Sequence, residues 1–230
     1  MIYQNRDPRL SPAYGVTEAA HYLRIHRATL RAWFFGASYG PGKKPFAPPL
    51  APADRKKRLL SFTNLLEAHV LDAIRKDHEI PLQKVRKALS YLQKHFPSDH
   101  PLLDQRFQTD GIDLFIEELG TLISPTQEGQ TQMREVIKHY LQRIDRDAQG
   151  APIRLYPFTR KRGLNEPKVV VIDPTVEFGR PVLVGTGIPT AVIADRMKAG
   201  DSIEDLADDY GRATSEIQEA IRCELSLEAA

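Results

Sequence analysis

The heptapeptide VGTGIPT, residues 184–190, carries two glycines and a proline directly before a run with helical spacing. A glycine loop at the start of a helix can bind a phosphate, because free backbone N–H groups and the helix dipole point at the same anion. The common nucleotide fingerprints also require a Lys-Ser/Thr pair after the glycines, or a third glycine and a later acidic residue. Neither extension is present, so we predict a structural turn in which Gly185 and Gly187 supply backbone freedom.

Side chains that could bind a metal or perform catalysis are not grouped in this sequence. The seven histidines show no His-x-x-x-His spacing with a nearby carboxylate, and the single cysteine, Cys223, rules out a disulfide framework and a cysteine zinc cage. Adjacent helical positions diverge by about 100°, so Asp208 and Asp209 indicate a solvated face rather than a catalytic pair. The sequence therefore predicts a protein that is not an enzyme and that uses no metal or cofactor.

The net charge of +2 conceals a strong asymmetry between the two halves of the chain. Residues 1–100 contain 17 Lys and Arg against 8 Asp and Glu, whereas residues 101–230 contain 15 against 22. A basic half suits a phosphate backbone, and an acidic half would be repelled by one, so two different partners are expected. The sequence contains no apolar stretch long enough to span a membrane and does not begin with a signal peptide, which predicts a cytoplasmic protein.

Residues 14–36 have the pattern of two short helices joined by a tight turn. We expect Thr17 to cap the first helix and the second to begin near His26 or Arg27. The second helix should bury Leu30, Trp33 and Phe34. Three cations would then remain on the solvent side: Arg24, Arg27 and Arg31. A second helix of this size enters a major groove in helix-turn-helix proteins, although a helical hairpin with a solvated basic face is the alternative.

In this stretch the sequence resembles the MerR family of transcription regulators, in which a first helix like VTEAAHYL precedes a second bearing TLRAW. Residues 37–62, rich in Pro, Gly, Lys and Arg, stand where that family has its wing, and two helices follow, over 63–76 and from Pro81. One departure is Arg24, at a turn position where glycine is usual. The predicted DNA-binding residues are Arg24, Arg27, Thr29, Arg31, Lys43, Lys44, Arg55, Lys56, Lys57 and Arg58.

The pattern changes from Leu102 to about Phe178. Asp110-Gly111 between alternating apolar positions predicts a hairpin, and the segments IRLYP and KVVVID predict further strands. Between them, apolar residues from Met133 to Ile144 repeat at spacings of three and four, which predicts one long amphipathic helix. We therefore expect a small α+β domain, which could serve in dimerisation or as a spacer.

Three further helices are predicted after the glycine loop. The first should end at Gly200, the second should run from Ser202 to Gly211, and the third should be capped at Thr214 and bury Leu225. This spacing again has a helix-turn-helix outline. From Thr190 to the last residue there are 4 basic and 10 acidic side chains, so this copy should bind DNA poorly.

Residues 179–221 resemble a small bacterial domain, long catalogued as of unknown function, that is found in antitoxins of the VapB type. The similarity rests on a Gly-Thr-x-Ile-Pro loop and a later Ser-Ile-Glu-Asp-Leu helix. Members of that family commonly carry Arg at the position of Gly187 and Pro near Gly211, so a role for a loop arginine has no support here. The resemblance implies binding to a PIN-like ribonuclease toxin through Gly185, Thr186, Gly187, Ile188, Pro189, Arg196, Asp205, Asp208, Asp209 and Arg222.

Together these features predict a mainly α-helical protein with three domains. These are a winged helix-turn-helix domain over residues 1–98, a small α+β domain over 99–166, and a three-helix, toxin-binding domain over 167–230. The predicted function is that of an antitoxin that neutralises its toxin and binds operator DNA to repress its own operon, as a homodimer or a complex with the toxin. The alternative is a MerR-like regulator whose C-terminal half senses a small molecule.

Overall fold

The computed structural model describes residues 7–37, 47–76, 80–123, 126–160 and 166–225. This described chain is mainly helical, as predicted. Its helices are α1 (Val16–Leu23), α2 (Arg27–Phe35), α3 (Phe62–Lys76), α4 (Leu82–His95), α5 (Ile112–Ile123), α6 (Gln127–Leu141), α7 (Thr190–Ala199), α8 (Ile203–Tyr210) and α9 (Thr214–Glu224). Its strands are β1 (Tyr14–Gly15), β2 (Leu59–Leu60), β3 (Ile144–Arg146), β4 (Pro152–Leu155), β5 (Val170–Ile172) and β6 (Pro181–Leu183). Within these residues, no helix has the length and apolar character that crossing a bilayer requires.

Helix α1 begins one residue earlier than its predicted cap. Gly15 is the N-cap, and its N–H donates to the Glu18 carboxylate at 3.3 Å, so Thr17 lies inside the helix rather than at its end. The helix ends at Arg24, which has a left-handed backbone with φ 54°. A bulky residue in this conformation is unusual, because the Cβ atom crowds the backbone.

Helix α2 begins where the sequence predicted. The Nδ1 atom of His26 accepts the N–H of Ala28 at 3.3 Å and caps the helix. The three apolar residues predicted to be buried are buried: Leu30, Trp33 and Phe34. Strands β1 and β2 pair antiparallel, so the chain returns to the start of α1 after α2.

The main hydrophobic core extends from Tyr14 to Ile172 and is centred on α3. That helix is capped by a reciprocal pair, in which Ser61 N–H donates to Asn64 Oδ1 and Asn64 N–H donates to Ser61 Oγ. It therefore begins at Phe62, one residue before the predicted helix over 63–76. Helix α3 packs against α1 and α6, and α4 packs against α5.

The hairpin predicted at Asp110-Gly111 is wrong. Residues Phe107–Gly111 form a π-helical turn that continues into α5. Phe107, Ile112 and Phe115 of this segment are all buried in the main core. Burial of one helical face has therefore overridden a local turn signal. The predicted amphipathic helix is α6, which ends at Leu141, before strand β3.

The second sheet joins the middle of the chain to its C-terminal part. Its strand order is β3-β4-β5-β6, all antiparallel, and β4 and β5, which the sequence predicted, are connected by the single pair Leu155↔Ile172. This sheet crosses the predicted boundary at residue 166. The three domain limits remain a prediction.

Helices α7, α8 and α9 pack together around a separate C-terminal core that includes Leu183, Leu206 and Ile217. Helices α7 and α8 end at glycines, and Ser202 caps α8, as predicted. Helix α9 is capped one residue earlier than predicted, because Glu216 accepts the N–H of Ala213 at 3.0 Å. Leu225, predicted to be buried, is exposed because it lies just beyond the end of α9.

A buried carboxylate attaches α9 to the rest of the protein. Glu219 is 1% exposed and accepts hydrogen bonds from Thr159, Arg160 and Arg222. Burial alone would raise the pKa of this carboxyl group, but the hydrogen bonds from Arg160, Thr159 and Arg222 hold the pKa below its ordinary value. Glu219 is therefore charged at neutral pH.

A second contact links the turn between β5 and β6 to β1. The buried Tyr14 hydroxyl donates to the carbonyl of Gly179 at 3.0 Å, and burial raises the pKa of Tyr14, so the donor proton is retained. Gly179 has φ +78°, and a Cβ atom there would lie 2.0 Å from the Tyr14 Oη atom. In the same turn Glu177 and Phe178 also have positive φ, and Phe178 is 89% exposed. The turn thus holds an aromatic side chain in solvent on a strained backbone.

We predict that Gly179→Ala destabilises the protein more than Gly185→Ala. Both glycines have positive φ, +78° and +75°, but no atom lies within 4 Å of a Cβ atom at Gly185. Gly185→Ala should cost about 1 to 2 kcal/mol through backbone strain alone, and Gly179→Ala should cost about 1 to 3 kcal/mol more because it clashes with Tyr14. Denaturant unfolding measures both. Equal losses would show that the Tyr14 contact has no energetic consequence.

We also predict that Glu219→Gln lowers the free energy of unfolding by about 2 to 3 kcal/mol at pH 7, because it removes the charge that the donors stabilise. The folded pKa of Glu219 is lowered, so this stabilisation is complete above the unfolded value of about 4.3 and is lost as pH falls through the folded value. The difference between parent and variant should therefore shrink as the pH falls below that unfolded value. Asp195→Asn, which removes one partner of an exposed ion pair with Lys198, is the control and should change stability by less than about 0.5 kcal/mol. A difference that is independent of pH would contradict the prediction.

Candidate nucleic-acid interface and C-terminal partner surface

A basic groove of about 670 Å³ lies between the start of α1, helix α2 and the turn that precedes β2. Three arginines contribute to it, two from α2 and one from the turn before β2. Its lining residues are Val16, Thr17, His26, Arg27, Ala28, Arg31, Phe35 and Arg58. The groove contains donors and cations but no carboxylate, which suits a phosphate or a base edge.

Helix α2 directs two of its predicted DNA-binding residues into the groove. Arg27 and Arg31 are one helical turn apart and exposed, because the apolar face of α2 is turned into the main core. Thr29 is half-buried and is not among the groove residues. Thr17 and His26 line the groove but were not predicted as site residues. The sequence did indicate that Thr17 and His26 lie at the starts of α1 and α2, and helix N-termini attract phosphates, so this position could have identified them.

A tight turn presents four consecutive cations beside the groove. Asp54 and Leu59 exchange two backbone hydrogen bonds of 3.0 Å, and the Asp54 carboxylate accepts the N–H of Lys57 at 2.9 Å. Four exposed residues form the tip of this basic turn: Arg55, Lys56, Lys57 and Arg58. Only Arg58, with φ 56°, also lines the groove. The two other predicted wing residues, Lys43 and Lys44, lie outside the described residues.

Arg24 has a different environment from the other predicted DNA-binding residues. Its guanidinium group donates to the main-chain carbonyl of Arg222 in α9. Nearby, His21 Nε2 lies 3.5 Å from the Glu224 carboxylate. Helix α1 and the left-handed turn at its end are therefore in direct contact with the C-terminal helices.

The Gly-Thr-x-Ile-Pro loop connects β6 to α7 as a compact turn. The Thr186 hydroxyl donates to the Leu183 carbonyl at 2.8 Å and accepts the N–H of Ile188 at 3.0 Å. Gly185 has a positive φ and Gly187 does not, so only the first glycine needs its conformational freedom. Both glycines are exposed, and Pro189 is the N-cap of α7. These contacts confirm the prediction of a structural turn.

The remaining predicted toxin-binding residues fall into separate groups. Arg196 bridges Asp201 and Asp209 at 2.6 Å each and lies over the Tyr210 ring, which joins α7 to α8. Asp205 pairs with Ser202 at the start of α8, and Asp208 is exposed. Arg222 is bound to Glu219 and, through its carbonyl, to Arg24, so it lies at the contact with α1.

In the described chain, no group of three or more His, Cys, Asp or Glu side chains could hold a metal ion. Cys223 is buried, and burial raises the pKa of its thiol to about 12, so it is protonated and unreactive at neutral pH.

The exposed Phe178 was missed by sequence reasoning. Its only local signal was an aromatic residue between Glu177 and Gly179 in a polar turn.

Two known families match different parts of the chain. Residues 12–89, which hold α1, α2, α3 and the groove, match a family described as "Putative DNA-binding HTH domain". Residues 170–222, which hold β5, β6, α7, α8 and most of α9, match "Protein of unknown function (DUF433)". The helix-turn-helix prediction is therefore confirmed at the level of the domain.

Full-length relatives come from Mycobacterium tuberculosis strain H37Rv. "Putative antitoxin VapB45" is 31% identical over 91% of this chain and 92% of its own length, and "Uncharacterized protein Rv2308" is 26% identical over 90% and 88%. A crystal structure of Rv2018 from M. tuberculosis matches the fold with a TM-score of 0.66 and 25% identity, covering 92% of this chain and 98% of that one. The shared length and the identity show that the chain belongs to the family of the first relative, "Putative antitoxin VapB45".

Proposed function

We propose that this protein neutralises a toxin protein through its C-terminal helices and binds operator DNA through the basic groove. The observation that carries the DNA part is the convergence of Arg27, Arg31 and Arg58 in one groove of the matched helix-turn-helix domain. The name of the 31% identical relative supports the antitoxin part.

In this proposal α2 enters the major groove. Arg27 and Arg31 are one turn apart and could reach guanine edges, whereas the basic turn at Arg55–Arg58 takes the place of a wing and contacts phosphates. Lys43 and Lys44, outside the described residues, are proposed as further phosphate contacts. A dimer would place two such helices on successive half-sites, and binding in front of the protein's own operon would repress it.

The C-terminal helices suit a different partner. Asp208 and Glu204 are exposed one turn apart on α8 and have no ion-pair partner among the described residues. We propose that this acidic surface and the Gly185–Pro189 loop bind a PIN-like ribonuclease. A ribonuclease needs a positive surface for RNA, and an acidic partner can cover that surface.

Arg27→Ala with Arg31→Ala should relax the preference for the protein's own upstream DNA, because each base contact contributes about 1 to 3 kcal/mol of discrimination. Lys56→Ala with Lys57→Ala should instead weaken binding to all duplexes and lower the salt slope by about two units. Fluorescence anisotropy over a salt series measures both effects. The control is Arg106→Ala with Arg134→Ala, which removes the same charge from ion pairs outside the groove. Loss of binding in the control, or unchanged sequence preference in the first variant, would contradict the DNA assignment.

Glu204→Lys with Asp208→Lys should weaken binding to the toxin at least about tenfold, chiefly through slower association, and should not weaken binding to DNA. The toxin is obtained by affinity capture with the parent protein from an extract of the source cells, and ribonuclease inhibition is then assayed with the purified pair. The control, Glu117→Lys with Glu128→Lys, makes the same charge change at exposed residues outside the C-terminal helices. Capture of a metabolite with no protein, or equal inhibition by all variants, would contradict the toxin assignment.

A further inference from the structure

Most described cations outside the basic groove have a structural partner. For example, Arg134 lies 2.6 Å from Asp113, Arg154 lies 3.1 Å from Asp173, and Arg75 donates to the Ile80 carbonyl. A few described Lys and Arg side chains lie outside the groove and its basic turn and have no such partner. Besides Arg180, these are three exposed residues of α4: Arg86, Lys87 and Lys94. Cations with no structural partner are available to an external ligand.

Helix α4 presents these cations on one side. Its 14 residues include no Asp or Glu, and its buried face is formed by Val85, Ala88, Leu89 and Leu92. Lys87 and Lys94 are seven residues apart, so they lie about 10 Å apart on the solvent face, two helical turns from each other. This spacing corresponds to about three base-pair steps of 3.4 Å along the axis of a DNA duplex.

The start of α4 lies next to the helix-turn-helix. The guanidinium of Arg75 lies 5.8 Å from the centre of the Trp33 ring in α2, and its Nε atom donates to the carbonyl of Ile80, two residues before α4. Helix α5, which packs on α4, carries Asp113, Glu117 and Glu118, but none of these is within ion-pair distance of the three α4 cations. The α4 face is therefore a basic surface adjoining the groove helices.

We infer that Arg86, Lys87 and Lys94 form a second phosphate-binding surface that holds duplex DNA beside the segment bound in the groove. This inference rests on the proposed DNA-binding function. Contacts of this kind contribute affinity without sequence preference, so they would lengthen the bound tract rather than define the operator. The favoured ligand is DNA rather than an acidic protein, because Arg86 and Lys87 lie within the matched DNA-binding domain, residues 12–89, and Lys94 lies two helical turns from Lys87 on the same face.

The test compares random-sequence duplexes of about 15 and about 40 base pairs over a salt series. Arg86→Ala with Lys87→Ala and Lys94→Ala should lower the slope of log K against log salt by about two to three on the longer duplex and leave the shorter one unchanged. The matched control, Arg106→Ala with Arg134→Ala and Lys198→Ala, removes three ion-paired surface cations and should keep both slopes. All six residues are at the surface, so circular dichroism should show unchanged folding in both variants.

The outcomes separate this inference from the proposed function. If the α4 variant keeps the parent's slope on the longer duplex while Arg27→Ala with Arg31→Ala weakens binding, the α4 surface is not used and the groove assignment stands. If the parent binds neither duplex, both proposals fail. If the α4 variant instead abolishes self-association in sedimentation and leaves the DNA slopes unchanged, the surface binds the acidic helices of a second copy and the inference is overturned.

Discussion

The buried charge of Glu219 is the constraint on which the arrangement of the two halves depends. A carboxylate without solvent must be satisfied by donors, and its donors come from Thr159 and Arg160 after β4 and from Arg222 on its own helix. Arg222 in turn offers its carbonyl to Arg24, the left-handed residue between α1 and α2. Arg222 thus connects the turn of the helix-turn-helix to the buried Glu219 carboxylate, although Arg24 and Arg222 are 198 positions apart in the chain.

Features set by local physical chemistry could be predicted from the sequence. The start of α2 near Arg27, the helix between Ser202 and Gly211, and the outward position of Arg27 and Arg31 all follow from capping residues and apolar spacing, whereas the cap by the His26 side chain was not predicted. The resemblance of two segments to known families led to the predictions of DNA binding and toxin binding. Local patterns predict only part of the groove. The apolar spacing of α2 predicts that Arg27 and Arg31 are exposed, whereas no local pattern places the basic turn beside α2.

Features set by distant contacts could not be predicted. Arg58 was predicted to bind DNA through the family resemblance, but no local pattern shows that it would meet α2, and nothing near Arg24 shows that it would reach Arg222. The Asp110-Gly111 hairpin failed because a valid turn signal lay inside a helix whose buried face stabilised it more strongly. Likewise, that Arg86, Lys87 and Lys94 have no ion-pair partner among the described residues depends on where the other described carboxylates lie, and this requires the three-dimensional structure.

The hydrogen bond between Tyr14 and Gly179 has a consequence for synthesis of the protein on the ribosome. Its two residues are 165 positions apart, and Arg24 and Arg222 are 198 positions apart. Because translation proceeds from the N-terminus, the DNA-binding end emerges first but lacks these two contacts until almost the whole chain has been made. A nascent or truncated chain therefore leaves β1 and the turn after α1 without these contacts, and the DNA-binding end completes its packing only in a finished molecule.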